Sequence, residues 1–490
     1  MKSNLLLRVI PKIQDVFFIS IFVATLLLGQ KMLNLDGDFP RHLLTGKYVL
    51  ETRSFLTVEK FIYPYLNHPY VSHEWLADVL FYIIYSTTGL AGIVALSAFL
   101  MASTFTLLYR KLSIRLGLRI PVLILVAWGA LATSINWATR PHLISMFLLA
   151  IWLIWADDLW RGENIPLWRF PVFMLVWSNV HGEFIAGILV LLAHSVGWVI
   201  DYLLDPANAN PIVGRNLWLA FLLSTFASFL NPGGIGPWIS ILGFVNNQYL
   251  MSRMLEANAP NFQMPELRIF FGLLIFSIFL LAIKNKKLSN GQGLLLTGFS
   301  AMSLIAVRNI HLYGVVIPFV LVETLGEANN LQGMLKRVEH TLKVIENQIK
   351  GIIWPVVTVV VLSVFVITNQ TAHKFYQFSL SVFPVQAVDW LEKNPQQGKM
   401  FNELNWGGYL AFRLWPEQLT FIDSMADTSG EVTMQYETVI TQNENWQTIL
   451  EKNFVEWAIL PNHSPLAQVL KSKYHWRVLY QDDTAVILRK

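Results

Sequence analysis

The 490-residue chain contains no cysteine, which excludes disulfides, thiolate catalysis and Cys-ligated zinc. Any metal site must therefore use carboxylate and imidazole. Charge is scarce too: 14% of residues are charged against 54% hydrophobic, and the mean hydropathy is +0.47. That balance excludes an ordinary soluble domain and points to a polytopic membrane protein. The net charge of +4 is small and unevenly spread, so it bears on topology and leaves no footprint for nucleic acid. There is no internal repeat, and His194 is the one clear mid-span candidate for a polar pathway. Both absences count against a transporter.

What is present is a long series of apolar runs. Lys2, Arg8 and Lys12 precede the first, about 16–33, and no small-residue cleavage site follows it, so it is expected to stay in the membrane with its basic flank inside. Residues 34–89 then form the first outer loop. Within it Glu74 to Thr88 is short for a span. Its polar residues Glu74, Asp78, Tyr82 and Tyr85 recur at helical spacing, as on an interfacial helix. A flat helix there puts Arg110, Lys111, Arg115 and Arg119 inside, as the positive-inside rule asks. Further spans are expected near 90–109, 120–137, 142–155, 168–180, 184–204, 217–230, 267–283, 294–307, 310–325 and 351–367. Lys284, Lys286 and Lys287 fall inside, as does the amphipathic linker 326–350 with Lys336, Arg337, Lys343 and Lys350.

The expected fold class is mainly α: a polytopic membrane protein of about eleven transmembrane helices with outer interfacial helices (residues 1–369). A small C-terminal α/β extracytoplasmic domain (370–490) follows. In it strand-like runs fall at 399–402, 419–422, 457–460, 477–480 and 485–488, the last two joined by a hairpin over Gln481-Asp482-Asp483-Thr484. Trp406-Gly407-Gly408-Tyr409 reads either as an aromatic face for sugar or as a packing turn.

The chemistry-bearing residues converge on the outer side. Asp36-Gly37-Asp38-Phe39-Pro40-Arg41-His42 lies where the first span surfaces. An Asp-x-Asp pair can hold a divalent metal, or one carboxylate can take a proton while the other orients. The same residues also suit a solvated helix start, with Asp38 as cap and Pro40 in the first turn. His68, His73-Glu74, Arg140 with His142, Asn179-Val180-His181-Gly182-Glu183, and Arg308 with His311 reach the same rim from other junctions. Each cation alone could snorkel to headgroups, but together they suggest a wet, charged cavity.

This pattern resembles the GT-C superfamily of polytopic glycosyltransferases, which includes aminoarabinose transferase and the protein O-mannosyltransferases. The resemblance rests on Leu35-Asp36-Gly37-Asp38, Thr45-Gly46-Lys47, Ser72-His73-Glu74-Trp75, Gly89 and Tyr109-Arg110-Lys111-Leu112 over about the first 115 residues. The chain also looks like a group of bacterial membrane proteins sharing Arg140-Pro141-His142, Trp406-Gly407-Gly408-Tyr409-Leu410 and Phe421-Ile422-Asp423. The resemblance implies an inverting transferase in the bacterial inner membrane, N-terminus cytoplasmic. It would move a sugar from a polyprenyl-phosphate donor to a glycan, lipid or protein acceptor on the outer face.

By the same resemblance Asp38 falls at the catalytic carboxylate. Asp36, His73 and Glu74 would hold a divalent metal or counter-charges, and Arg140 and Arg308, with His142, His181 and His311, would stabilise the departing phosphate. The Pro-Pro-Leu of many interfacial helices is absent, and Phe39 stands where an acidic partner is common. Metal use and substrate therefore do not carry over. The other reading is a non-catalytic membrane protein, a transporter or a scaffold presenting the C-terminal domain.

Overall fold

The computed structural model describes residues 10–283, 288–326, 333–349, 353–425 and 430–490. The expected inside positions of Lys2, Arg8, Lys284, Lys286, Lys287 and Lys350 lie outside the described residues.

The first apolar run is α1 (Ile13–Leu33), and after one turn the chain enters α2 (Asp38–Thr52). The next helix, α3 (Trp75–Leu116), is 42 residues long and broken at Gly89. Gly89 has φ 68° and ψ −165°, a backbone that favours glycine and splits the helix into a short part before it and a long apolar part after it. This is the division expected from the sequence. Then come α4 (Ile120–Thr133), α5 (His142–Trp160), α6 (Arg169–Val180), α7 (Phe184–Leu204) and α8 (Pro211–Ala227). The segment after α8 carries α9 (Gly236–Asn246) and α10 (Gln248–Arg253). After it follow α11 (Arg268–Ile283), α12 (Asn290–Ile305), α13 (Ile310–Leu321), α14 (Gly333–Gln348), α15 (Ile353–Thr368) and α16 (Gln370–Phe375).

Among the described residues six helices are long and apolar enough to cross a bilayer, or seven if the bent pair α14–α15 counts as one. The chain is a multi-pass membrane protein. Each expected span has a helix in its place, but some are short. At 12 residues, α6 rises only about 18 Å, less than a typical hydrocarbon core. Helix length thus supports six or seven crossings of the eleven expected.

At the end opposite the candidate site several cations are paired. Arg115 and Arg161 both contact Asp157 and Glu323, tying α3, α5 and the turn after α13 together. Glu339 of α14 accepts from the backbone N–H groups of Arg119 (2.8 Å) and Ile120 (2.7 Å), filling donors that the start of α4 leaves open.

The C-terminal segment holds α17 (Val385–Lys393), β1 (Lys399–Asn402), α18 (Gly407–Leu414), α19 (Glu431–Ile440), α20 (Trp446–Lys452), β2 (Val455–Pro461), α21 (Pro465–Ser472), β3 (Arg477–Gln481) and β4 (Ala485–Arg489). The sheet order is β1-β2-β4-β3, with β1 parallel to β2 and the other pairs antiparallel. Asp482 Oδ1 accepts from the Thr484 and Ala485 N–H groups and closes the β3–β4 hairpin at its expected place.

The run 419–422 is not a strand of this sheet. Thr420 bridges to Ile62 of the loop between α2 and α3, and Asn402 Oδ1 takes the Phe421 N–H (2.8 Å). Its backbone groups are satisfied there instead. Ile62 is buried together with Phe401, Phe421 and Val486, and Phe61 together with Ala411. The C-terminal segment therefore completes its core with residues from the loop between α2 and α3.

Candidate active site

The site starts at the turn between α1 and α2. Gly37 is the N-cap residue and makes no side-chain cap. Asp36 Oδ1 accepts from the Asp38 N–H (2.9 Å), so Asp36, not Asp38, closes the turn. The expected capping role of Asp38 is thereby replaced. As the first residue of α2, Asp38 is left to face Arg140. That arginine is placed by its own strand of loop, in which the Thr139 N–H donates to the Met32 carbonyl at the end of α1 (3.2 Å). Its guanidinium contacts Asp36 Oδ2 through Nε (2.9 Å) and Nη2 (2.8 Å), Asp38 Oδ2 through Nη2 (2.8 Å), and Glu256 through Nη1 (3.4 Å). Burial acts to raise the Asp38 pKa, but Arg140, then Ser424, His42 and Arg308, outweigh it and hold the carboxyl below its ordinary value. For Asp36 burial, joined by the Asp38 charge, prevails over Arg140 and raises it. Two neighbouring carboxyls are thus driven apart in acidity, Asp38 downward and Asp36 upward.

One turn along α2, His42 Nδ1 donates to Asp78 Oδ1 (2.7 Å) and lies 3.7 Å from Glu74 Oε2. Burial opposes its charge, yet Asp78 and Glu74 push its pKa up to about 9. From Glu74 the polar contacts continue away from α2. Glu74 Oε1 sits 3.2 Å from His181 Nε2 and 3.6 Å from His73 Nε2. His181 Nδ1 meets Ser145 Oγ (3.1 Å) and lies 3.6 Å from Glu183 Oε2, while Glu183 Oε1 accepts from His311 Nε2 (2.7 Å). The His142 ring is 5.4 Å from that of His311 and 6.4 Å from that of His181, and its Nε2 donates to the Asn136 carbonyl (2.6 Å). Against burial, Glu183 and Glu74 raise the His181 pKa. Glu183, which burial alone would raise, is held well below its usual value by His311 and His181. The Arg308 charge acts on both groups, on Asp38 and on His181.

A search of protein-family models and one of curated proteins both return no match. Solved structures do match. ArnT from Cupriavidus metallidurans, bound to undecaprenyl phosphate, aligns with a TM-score of 0.52 at 13% identity, over 96% of this chain and 97% of that one. The oligosaccharyltransferase AglB from Archaeoglobus fulgidus, in complex with an inhibitory peptide and a dolichol-phosphate, aligns with a TM-score of 0.51 at 11% identity. That alignment spans 94% of this chain and 70% of the other. The chain has a GT-C-like fold. At these identities the likeness is one of fold.

Within that GT-C-like frame the structure gathers Asp36, Asp38, His73, Glu74, Arg140, His142, His181, Arg308 and His311 at one end of the bundle. His68 stays apart, stacked on Tyr65 at 4.1 Å and exposed. The site holds both signs of charge. Asp36, Asp38, Glu74, Asp78, Glu183 and Glu256 face two guanidinium groups and the imidazoles. Among the described residues no group of three or more His, Asp or Glu side chains is arranged to hold a metal ion, so His73 and Glu74 are at most two members of such a set. Three participants are not evident from the sequence. Asp78 reads there as part of a solvent-facing stripe, though its i+4 spacing from Glu74 is an available signal; it is 3% exposed and faces α2. Glu256 and Ser424 carry no sequence signal. The Trp406-Gly407-Gly408-Tyr409 stretch is a packing turn: both aromatics are buried, and a Cβ on Gly407 would lie 2.0 Å from the Ile422 carbonyl oxygen.

Proposed function

We propose that this protein transfers a sugar from a polyprenyl-phosphate donor to a glycan, lipid or protein acceptor at the outer face of a bacterial inner membrane. In this reading residues 1–369 form the membrane domain, N-terminus inside, and residues 370–490 an outer domain. The observation that carries it is the Asp36–Asp38 pair, locked by Arg140 at the exit of α1 in a GT-C-like fold.

The acceptor hydroxyl oxygen attacks the anomeric carbon, and its proton passes to Asp38. The bond from that carbon to the donor phosphate breaks, and its electron pair leaves on the phosphate oxygen, inverting the centre. Asp36 helps Arg140 hold Asp38 in place. Arg140 and Arg308, helped by His142, His181 and His311, stabilise the departing phosphate. His73 and Glu74 supply counter-charge, or two ligands of a divalent metal that would act on the phosphate as a Lewis acid.

Asp38→Asn tests this directly. It keeps the shape and hydrogen-bonding reach of the side chain but removes its proton affinity. The expected outcome is normal membrane abundance with transfer slowed roughly 10²- to 10⁴-fold, the usual loss of a general base. Unchanged lipid-linked sugars and glycans in the native host would overturn the assignment and leave the transporter or scaffold reading.

A further inference from the structure

The end of the bundle opposite the candidate site carries a helix that the transfer chemistry does not use. On α14, Met334, Leu335, Val338, Leu342 and Ile345 recur at helical spacing and form one apolar stripe. Met334 is 81% exposed, and Leu335, Val338 and Ile345 are exposed as well. Lys336 and Lys343 share the far side of the helix, Arg337 lies on its flank, and all three are exposed. The two carboxylates of α14 are taken up elsewhere. Glu339 accepts from the N–H groups at the start of α4, while Glu346 accepts from the Ile13 N–H at the start of α1 (3.1 Å) and pairs with Arg119 Nε (2.7 Å). What α14 leaves uncovered is therefore apolar and cationic, with no unengaged carboxylate. Lipid-facing surface begins close by. One turn in from the two anchors, a rise of about 5 Å, Val16 of α1 and Ile124 of α4 are more than half exposed. An apolar groove lined by Ile13, Val16, Phe17 and Leu123 opens between those two helices. The axis of α14 is bent by 75° from that of α15, which packs along α1 and α3, so α14 lies across the bundle rather than along it.

We propose that α14 docks on the anionic phospholipid headgroups of the leaflet at this end, its apolar stripe entering the boundary between headgroups and acyl chains. A helix that lies in this boundary binds through buried apolar area together with the attraction of its cations to anionic lipid. Each lysine or arginine near such a surface favours binding about fivefold, so Lys336, Arg337 and Lys343 together favour the docked state roughly a hundredfold. Through Glu339 and Glu346 the docked helix holds the starts of α4 and α1 at a fixed depth. None of this depends on the chemistry at the other end of the bundle.

The test uses the full-length protein in nanodiscs of phosphatidylcholine, alone or with phosphatidylglycerol. The chain has no cysteine, so a single nitroxide can be attached at Val338→Cys on the stripe or at His340→Cys on the polar side. Its collisions with oxygen and with a water-soluble nickel chelate report its depth. With phosphatidylglycerol present the Val338→Cys label should lie roughly 5–10 Å into the boundary region, while the His340→Cys label stays open to nickel. In phosphatidylcholine alone, or in the triple variant Lys336→Gln, Arg337→Gln, Lys343→Gln, the ratio of immersed to water-exposed Val338→Cys label should fall roughly a hundredfold. Lys336→Arg with Lys343→Arg should leave that ratio unchanged, and release of the helix there would overturn charge as the cause. A Val338→Cys label open to nickel in phosphatidylglycerol overturns the docking and leaves the stripe to a soluble partner. Equal immersion in both lipids, or in the triple variant, overturns the preference for anionic headgroups.

Discussion

Replacing Arg41 by methionine should be among the most destabilising single changes available. The guanidinium and both carboxylates it holds, Glu59 and Asp423, have no solvent exposure. Removing one partner of a buried pair typically costs about 3–5 kcal/mol, because the remaining charge stays buried without compensation. Here two carboxylates are orphaned and a cation–π contact to Phe61 is lost, so the upper part of that range is expected. Neutralising the partners should recover most of the loss. In the triple variant Arg41→Met, Glu59→Gln, Asp423→Asn no buried charge remains. The amide oxygen introduced by Glu59→Gln can still accept the Phe61 N–H that Glu59 Oε1 now takes at 2.7 Å.

The effect has a sign in pH as well. Burial pushes Asp423 up to about 6 from 3.8 even beside Arg41, so the folded state binds this proton more tightly than the unfolded chain. That contribution is fully present below about 4 and is lost as pH rises through about 6. Without Arg41 the carboxyl rises further, and the defect should shrink on acidification. Unfolding in mixed micelles with increasing dodecyl sulfate, followed by tryptophan fluorescence at pH 7.5 and 5, measures both. A loss under about 1 kcal/mol at pH 7.5, or one that does not diminish at pH 5, refutes the reasoning.

The same unfolding assay should report His42. With its pKa at about 9 against 6.5, its pairing stabilises fully below about pH 6.5 and is lost as pH rises through 9. The whole effect is at most about 3 kcal/mol; His42→Gln should flatten the decline, and an unchanged slope would assign it elsewhere. Topology is open to thiol labelling in this Cys-free chain. A cysteine at exposed Glu163 should resist an impermeant reagent added outside, and one at exposed Glu444 should react. The reverse pattern would invert every loop.

The parts of the structure that are legible in the sequence are those written locally. Helical spacing of Glu74, Asp78, Tyr82 and Tyr85, together with the cationic stretch after Tyr109, is enough to place the break that Gly89 makes in α3. Alternation and turn residues locate the hairpin at Asp482. Positive-inside reasoning collects the polar residues of several junctions on one rim, and the structure brings them within contact of one another. The illegible parts depend on partners far along the chain. Arg41 reads as a surface cation until Asp423 and Glu59 enclose it. The run 419–422 reads as a strand because its residues suit one, but its edge is taken by the loop between α2 and α3. Asp78 looks solvated because helical spacing identifies a polar face without saying what packs against it.

The Arg41–Asp423 pair joins residues 382 positions apart. At the usual 5–20 residues per second of synthesis, Arg41 leaves the ribosome roughly 20–80 s before its partner exists. Through that interval the nascent chain carries an arginine with no buried counter-charge, and Gly37 waits for the Asn405 backbone it will pack against. Quality control in the membrane would meet this chain first as a set of inserted helices whose outermost turn is unfinished. A message truncated after the last membrane helix, Ile353–Thr368, but before codon 423 would yield a protein with all its membrane helices present and that turn left unfinished.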